Sequence, residues 1–352
     1  MSDLMEYLQK AVSGNASDIF VVAGVPVTAK VDGKLIYLKE QRMLPPDTME
    51  LINDIYATAK RSIQTLFDRG DDDFSFAVSG LARFRVNTYR QRGSYAAVIR
   101  IVAFEIPDWK KLRIPEQIMS LAQLTHGMVL VTGTSGSGKS ITQACIIDRI
   151  NNTRPCHIIT LEDPIEYLHR DIKSIVSQRE ISIDTENCLS ALRACLRQAP
   201  DVIQVGEMRD LETIRAAITA AETGHLLFAT LHTRGAVNTI DRIIDTFQPE
   251  AQRQIRIQLS TVLNTVVSQQ LLPDVNGDLV PAFEIMHMTS AIRSMIRDCK
   301  THQIDNAIAA GSGEGMMTMD QSILSLYKEG AITEQTALEF ADDPEQLRRR
   351  MA

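Results

Sequence analysis

The sequence predicts an α/β protein of about two domains, and three observations support this. The chain has 352 residues, which at ~150 residues per domain corresponds to about two domains. From residue 128 onward, apolar runs typical of buried parallel strands alternate with helical patterns. A glycine-rich G-x-x-x-x-G-K-S/T segment at 133–140 follows the first of these runs and precedes a helix. We therefore expect an α/β nucleotide-binding core that is preceded by a smaller α/β domain and followed by helical additions.

The composition argues against several classes of protein. Hydrophobic residues make up 44% of the chain and charged residues 23%, which is ordinary for a globular protein. A formal net charge of -7 and the lack of a basic, aromatic-interleaved tract argue against a RecA-like nucleic-acid translocase, so no direct nucleic-acid partner is expected. The five cysteines form no Cys-x-x-Cys pair, which disfavours a zinc ribbon or a disulfide framework and fits a reducing cytosol. With no signal-peptide pattern and no apolar run of ~18 residues, the chain is expected to be soluble and intracellular.

The first hundred residues predict a small α/β domain. A short amphipathic helix is expected at the start, and helical spacing after Pro46 predicts another helix over 46–68. Alternating or apolar runs predict strands over 18–24, 27–38, 73–78, 82–89 and 94–102. In the run at 82–89, Arg83 and Arg85 face the side of the strand opposite its apolar residues. From the residues alone, this arginine row is most simply a solvated face of the sheet.

The rest of the chain predicts a linker, a nucleotide-binding core and a helical end. Residues 103–118 contain two prolines and the only tryptophan, and they break both periodicities, as an interdomain linker would. Core strands are predicted over 128–133, 157–163, 201–207 and 225–232. A helix is predicted over 250–272, followed by an Asn276-Gly277 hairpin turn and a helical region. The predicted boundaries are 1–103 for the N-terminal domain, 104–118 for the linker, 119–288 for the core and 289–352 for the helical C-terminal region.

The strongest chemical signal is the glycine-rich segment at 133–140. Its glycines allow backbone N–H groups to turn toward a phosphate, and the start of the following helix adds a positive dipole end. Lys139 is expected to reach the β- and γ-phosphates, and the Ser140 hydroxyl to take a place on Mg²⁺. The predicted nucleotide-binding residues are Gly133, Thr134, Ser135, Gly136, Ser137, Gly138, Lys139 and Ser140. These residues predict ATP and Mg²⁺ as the cofactors.

Carboxylates follow two other predicted strands of the core. Glu207 ends the strand at 201–207, a position suited to holding Mg²⁺ through water or to ordering the attacking water. Glu162, Asp163 and Glu166 lie at or just beyond the end of the strand at 157–163. Since ligands of open α/β sheets bind beyond the carboxyl ends of the strands, both groups are well placed for function.

Two histidines, His225 and His232, bracket one predicted strand at its opposite ends. Their separation makes a shared metal site a weak interpretation. A histidine at a strand end is most often hydrogen-bonded within the structure. The sharper hypothesis is that such a histidine senses the γ-phosphate or contacts a neighbouring nucleotide.

Four stretches of the core carry a specific resemblance. They are GTSGSGKS (133–140), the acidic box TLEDPIEYLH (160–169), the Walker B segment VGEMRDLETI (205–214) and the histidine box AAETGHLLFATLHT (220–233). The chain resembles the secretion-ATPase superfamily and, within it, the PilT-type motors that retract type IV pili. Outside the core, NASDIFVVAGVPVTAKVDG (15–33), ARFRVN (82–87) and AIRSMIR (291–297) also resemble the family. The similarity covers nearly the whole chain.

The resemblance implies a homohexamer of subunits that each have an N-terminal PAS-like domain and a C-terminal RecA-like P-loop domain, with ATP between them. It implies Glu166 as the general base and Glu207 as the Walker B acid near Mg²⁺, with His232 and His225 in the histidine box. Arg83, Arg85 and Arg100 match family arginines that approach the nucleotide phosphates, where a cation stabilises the transferring phosphoryl group. The implied protein is cytoplasmic and peripheral to the inner membrane, with the pilus platform protein and a paralogous pilus ATPase as partners.

Other functions stay open at this point. A pilus extension or type II secretion ATPase is disfavoured by AIRSMIR and by the absence of a tetracysteine zinc module. An accessory subunit that depends on a partner motor would share most of the same sequence features. The leading hypothesis is an ATP-driven motor for pilus retraction and twitching motility.

Overall fold

The computed structural model describes residues 3–31, 33–102 and 106–351. The chain divides into two compact units, Met1–Glu105 with Glu166–Leu168, and Ile106–Ile165 with His169–Ala352. Residues 103–105, where the predicted linker begins, lie outside the described residues. Within the described ranges, no helix has both the length and the apolar content needed to cross a membrane.

The first unit contains an antiparallel sheet and three helices among its described residues. Its strands are β1 (Asp18–Val21), β2 (Pro26–Val31), β3 (Lys34–Arg42), β4 (Asp71–Val78), β5 (Ala82–Gln91) and β6 (Ser94–Val102), in the spatial order β3-β2-β1-β6-β5-β4. Its helices are α1 (Asp3–Ser13), α2 (Pro45–Thr58) and α3 (Gln64–Arg69). Apolar residues of α1 and α2 pack on one face of the sheet, against Ile19, Phe84 and Ile99. The other face of β5 is thereby left to its polar residues.

The helix predicted over 46–68 is wrong in its middle. Helix α2 ends at Thr58, Lys60 adopts a left-handed φ of 53°, and α3 begins only at Gln64. In the intervening turn, Arg61 forms a two-pronged ion pair with the buried Asp72, with N···O distances of 2.9 and 2.8 Å. This tertiary contact requires the chain to leave the helical path that the apolar spacing alone would continue.

The second unit contains a seven-stranded sheet among its described residues. Its strands are β7 (Gly127–Thr132), β8 (His157–Glu162), β9 (Ile175–Glu180), β10 (Val202–Val205), β11 (Leu226–Leu231), β12 (Leu263–Pro273) and β13 (Leu279–His287), in the spatial order β13-β12-β7-β11-β10-β8-β9. All neighbouring strands are parallel except β12 and β13. The α/β fold class predicted from the sequence is thus confirmed, and the sequence did not predict β9.

Helices cover both faces of this sheet. They are α4 (Glu116–Met119), α5 (Lys139–Thr153), α6 (Cys188–Cys195), α7 (Leu211–Glu222), α8 (Ala236–Asp245), α9 (Pro249–Val262), α10 (Ser290–Arg297), α11 (Ile304–Ala310), α12 (Met319–Lys328), α13 (Glu334–Phe340) and α14 (Pro344–Met351). Ile146 and Ile150 of α5 belong to the core on one face, with Val129 and Phe228. Residues of α7, α8 and α9 form the core on the other face, around Leu130. Covered on both faces, the central parallel strands β7, β10 and β11 are fully buried, which explains their apolar runs.

The helix predicted over 250–272 is wrong in its second half. Helix α9 ends at Val262 and the chain continues directly as strand β12 from Leu263. Leu259, Val262 and Leu263 fit a helical spacing, but the following residues are buried between β7 and β13 as a paired strand. An apolar run of this kind cannot be assigned by periodicity alone, and the sheet pairing decides it.

Candidate functional site

The phosphate loop lies between β7 and α5, in the strand-loop-helix context that the sequence predicts. Gly133, Gly136 and Gly138 have φ values of 140°, 78° and 88°, a region that favours glycine. A Cβ at Gly133 would collide with the Ser137 side chain and the Gln269 main chain, so only glycine fits there. Helix α5 begins at Lys139 and runs for 15 residues, so its first N–H groups and its positive dipole end face the loop. The loop is therefore built to hold an anion.

The Lys139 side chain crosses the loop from the base of the helix. Its residue is only 8% exposed, and Nζ donates to the carbonyl oxygens of Gly133 at 2.8 Å and Thr134 at 2.9 Å. Nζ also lies 3.4 Å from Nδ1 of His232. The amine is thus held at the centre of the loop, where a bound phosphate would meet it.

Two of the predicted residues, Glu207 and His232, meet at the same edge of the sheet. Glu207 follows β10 and His232 follows β11, and these neighbouring parallel strands end side by side. The His232 Nε2 atom lies 2.9 Å from Oε1 of Glu207. Together with the contact to Lys139, this produces a continuous chain from the phosphate-loop lysine through His232 to Glu207. Three separate sequence motifs therefore form one site.

The acidic box places its carboxylates differently. Glu162, at the end of β8, accepts hydrogen bonds from the Thr160 hydroxyl and from Nε2 of Gln178, the latter at 3.1 Å. Asp163 is exposed and lies 3.7 Å from the Arg209 guanidinium. Glu166 is exposed and clusters with the residues of the first unit. Its role as the general base stays a prediction.

His225 lies at the end of β11 opposite to His232. Its Nδ1 atom is 3.0 Å from the Ala220 carbonyl oxygen and 3.1 Å from the Thr223 hydroxyl, at the C-terminal end of α7. The structure therefore brings His232, but not His225, to the phosphate loop of the second unit. A nucleotide contact of His225 stays a prediction, and it would involve a neighbouring subunit.

The three predicted arginines of the first unit share one face of its sheet. Arg85 pairs in register with Arg100, and Arg83 lies two residues before Arg85 on β5. Arg85 donates to Asp73 at 2.7 Å, and Arg100 donates to Asp18 at 3.0 Å. The arginines thus form a cationic group whose charges are partly compensated by carboxylates of the same unit. Their contact with a nucleotide stays a prediction.

Comparisons with known proteins agree with these motifs. The family model "Type II/IV secretion system protein" matches residues 1–339. The chain belongs to this family. It is 43% identical over 343 residues to the type IV pilus retraction ATPase PilT of Pseudomonas aeruginosa, covering 97% of this chain and 99% of that protein. It is 45% identical over 276 residues to a twitching motility protein of Neisseria gonorrhoeae, covering 78% of this chain and 74% of that protein.

Solved structures show the same fold. The crystal structure of the pilus retraction motor PilT with bound ADP matches with a TM-score of 0.90 and 46% identity, covering 99% of both chains. The ATPase DotB of Legionella pneumophila matches with a TM-score of 0.80 and 28% identity, covering 95% of this chain and 93% of that one. The resemblance drawn from the four motifs is thereby confirmed, and the family's ATPase fold extends over both units.

The donors around the loop suit Mg²⁺ bound together with a nucleotide. Among the residues that the structure describes, no group of three His, Cys, Asp or Glu side chains is arranged to hold a metal ion. Mg²⁺ in phosphate-loop enzymes takes few protein ligands and keeps waters and phosphate oxygens. Ser140 supplies an exposed hydroxyl in the first turn of α5, and Glu207 supplies a carboxylate beyond the end of β10, which only β11 separates from the strand β7 that leads into the loop. These two residues fit such an ion.

The sequence motifs did not single out Arg209, which completes the surroundings of Glu207. Its Nε atom donates to Glu207 Oε2 at 2.8 Å, and this hydrogen bond raises the pKa of Arg209. In the sequence, Arg209 stands two residues after Glu207, but this spacing alone does not show that its side chain turns back to contact Glu207. Arg209 and His232 thus hold the two oxygens of the same carboxylate.

Proposed function

We propose that this chain is an ATP-hydrolysing motor that powers the retraction of type IV pili. The observation that supports this best is the contact chain Lys139–His232–Glu207, which joins the phosphate loop, the histidine box and the Walker B acid. The near full-length similarity to retraction ATPases supports the specific motor function.

In the proposed mechanism, the phosphate loop binds ATP. Lys139 Nζ exchanges the carbonyl oxygens of Gly133 and Thr134 for oxygens of the β- and γ-phosphates, and the N–H groups at the start of α5 bind the same anion. Ser140 and Glu207 would hold Mg²⁺, which supplies positive charge next to the phosphates when it is bound. His232 contacts both Lys139 and Glu207, so a change at the γ-phosphate that moves Lys139 can be passed on to Glu207.

The proposed catalytic groups act on the attacking water and on the transferring phosphoryl group. Glu166 is proposed as the general base that removes a proton from the attacking water. Its carboxylate is exposed and therefore accessible to a water molecule. Arg83, Arg85 and Arg100 are proposed to stabilise negative charge on the phosphoryl group in the transition state. To do so, Arg85 and Arg100 would exchange their carboxylate partners for phosphate oxygens.

We further propose that the protein works as a homohexamer at the cytoplasmic face of the inner membrane. Its partner there would be the platform protein at the base of the pilus. Support comes from the similarity to pilus retraction ATPases.

An accessory subunit that needs a paralogous motor is the second candidate. The chain is also 36% identical over 342 residues to the type IV pilus ATPase PilU of Pseudomonas aeruginosa, covering 97% of this chain and 89% of that protein. The higher identity to PilT favours an autonomous motor.

ATP turnover by the purified protein alone tests the proposal. We expect the wild-type protein to hydrolyse ATP and Lys139→Ala to be inactive but folded, because Lys139 serves bound phosphates rather than the core. Lys328→Ala, at an exposed lysine of α12, is the matched control and should stay active. An inactive wild-type protein that gains turnover only with a paralogue would favour the accessory function, and full activity of Lys139→Ala would refute the site.

A further inference from the structure

Gln269 is a buried amide beside the phosphate loop with no part in the mechanism above. It lies on β12 and is only 2% exposed. Strand β12 pairs in parallel with β7, and Ser268 is in register with Thr132, the last residue before the loop. Gln269 therefore stands next to the point where the chain leaves the sheet to form the loop.

Gln269 contacts the loop at both ends and the helix that follows it. The Thr142 hydroxyl, in the first turn of α5, donates to Oε1 of Gln269 at 2.8 Å, and both groups are buried. A Cβ on Gly138 would lie 2.8 Å from Nε2 of Gln269, and one on Gly133 would collide with its carbonyl oxygen. The beginning of the loop, its end and the helix thus all rest against one residue.

This arrangement constrains the loop more than packing alone would. A buried hydroxyl that loses its partner keeps its desolvation cost, so the Thr142–Gln269 bond fixes the relation between α5 and β12. Gly133 and Gly138, which both have positive φ, pass so close to Gln269 that a Cβ atom on either would lie within 3 Å of it, at 2.3 Å from its carbonyl oxygen and 2.8 Å from its Nε2 atom. Gln269 therefore leaves little room for either end of the loop to shift toward β12.

We propose that Gln269 is a positioning residue that holds the phosphate loop in its nucleotide-binding shape. It acts through Thr142, Gly133 and Gly138, and it makes no contact with the reacting atoms. This inference rests on the proposed function, since it assumes that the loop binds ATP.

The test compares Gln269→Met with Gln270→Met. Methionine keeps the length and volume of glutamine but removes the hydrogen bond. Gln270 is the matched control because it is the next residue of the same strand, is 9% exposed and points to the other face of the sheet. Affinity for a fluorescent ADP analogue with Mg²⁺, the KM and kcat for ATP, and the Tm without nucleotide are measured for each purified variant.

We expect Gln269→Met to weaken nucleotide binding about three- to tenfold, the effect of one buried hydrogen bond, and to raise KM similarly while kcat at saturating ATP changes less than about twofold. Gln270→Met should bind like the wild-type protein. Thr142→Val should reproduce the weaker binding, and the double variant should bind no worse than Gln269→Met. Equal binding by Gln269→Met and wild type, or an equal loss in Gln270→Met, would overturn the inference.

Three further outcomes separate a failure of this inference from a folding defect and from a failure of the proposed function. If Gln269→Met does not fold, Thr142→Val decides alone, and wild-type binding by Thr142→Val would overturn the inference. If Lys139→Ala abolishes turnover while Gln269→Met binds normally, only this inference fails. If Lys139→Ala is itself without effect, the proposed function fails, and the inference falls with it.

Discussion

Replacing Glu284 with glutamine should change how the stability of the protein depends on pH. Glu284 lies on β13, is 7% exposed and accepts a hydrogen bond of 2.7 Å from the Ala236 N–H at the start of α8. Burial raises the pKa of Glu284 from 4.5 to about 7, with a further contribution from Asp342, Asp305 and Asp320. Glutamine keeps an oxygen that can accept from Ala236 and cannot ionise. The substitution thus removes the charge and keeps the hydrogen bond that positions the segment after His232.

The sign of the effect follows from proton binding. Between a pKa near 4.5 in the unfolded chain and about 7 in the folded protein, the folded state holds a proton that the unfolded state has released. The free energy of unfolding therefore falls as the pH rises through this window and is level above it. The difference corresponds to about 3 kcal/mol at ~1.4 kcal/mol per pKa unit. At pH 8 the Glu284→Gln variant should be more stable than the wild-type protein by up to this amount.

Urea unfolding at pH 5, 6, 7 and 8 measures the effect, with Glu339→Gln, at an exposed glutamate of α13, as the control. The difference in unfolding free energy between Glu284→Gln and wild type should grow with pH, while Glu339→Gln should follow the wild-type curve. A difference that does not vary with pH would show that Glu284 has the same protonation state in the folded and the unfolded protein, contrary to this prediction.

Three further predictions concern catalysis and force. Glu166→Gln should bind Mg-ATP but hydrolyse it ~10²–10⁴-fold more slowly, since a general base contributes about that much. If Glu207→Gln traps ATP while Glu166→Gln turns it over normally, Glu207 is the general base and Glu166 is not. Alanine at Arg83, Arg85 or Arg100 should lower kcat more than nucleotide affinity, because a phosphoryl-stabilising cation acts mainly in the transition state; unchanged kcat in all three would contradict this role. Arg293→Ala and Arg297→Ala, on α10, should hydrolyse ATP nearly normally but abolish retraction. Normal twitching motility of both variants would show that these arginines lie on an ordinary solvated helix face.

The structure gives the two α10 arginines different surroundings. Arg293 donates to the carbonyl oxygens of Ser260 and Thr261, at the end of α9, the latter at 3.1 Å. Arg297 is exposed and donates to the Ser294 hydroxyl at 3.0 Å within its own helix. Because α9 runs directly into β12, Arg293 is connected to the strand beside the phosphate loop. Arg293→Ala should therefore lower the Tm as well, whereas Arg297→Ala should not.

The sequence predicted those parts of the site whose residues lie close together along the chain. The phosphate loop could be placed because its glycines, its lysine, and its neighbouring strand and helix are consecutive. Glu207 and His232 could be placed at one edge because both follow strands of a parallel sheet. Their direct contact was not predicted, since it depends on β10 and β11 being neighbours in space.

Other features depend on tertiary contacts that no spacing reveals. The hydrogen bond between Thr142 and Gln269 joins residues 127 positions apart, and it exists because β12 pairs with β7. The same pairing turned the second half of a predicted helix into a strand. At Arg61, an ion pair with Asp72 ended a helical pattern that would otherwise continue. In each case a long-range partner, rather than local propensity, determined the outcome.

Whether this motor retracts pili or extends them is visible in the number of pili on the cell surface. Deletion of the gene, followed by complementation with wild type or Lys139→Ala, separates retraction from extension. For a retraction motor we expect excess surface pili and no twitching in the deletion strain. The wild-type gene should reverse both defects, and Lys139→Ala, which cannot bind the phosphates productively, should reverse neither. Cells without pili after the deletion would instead show that the motor extends pili.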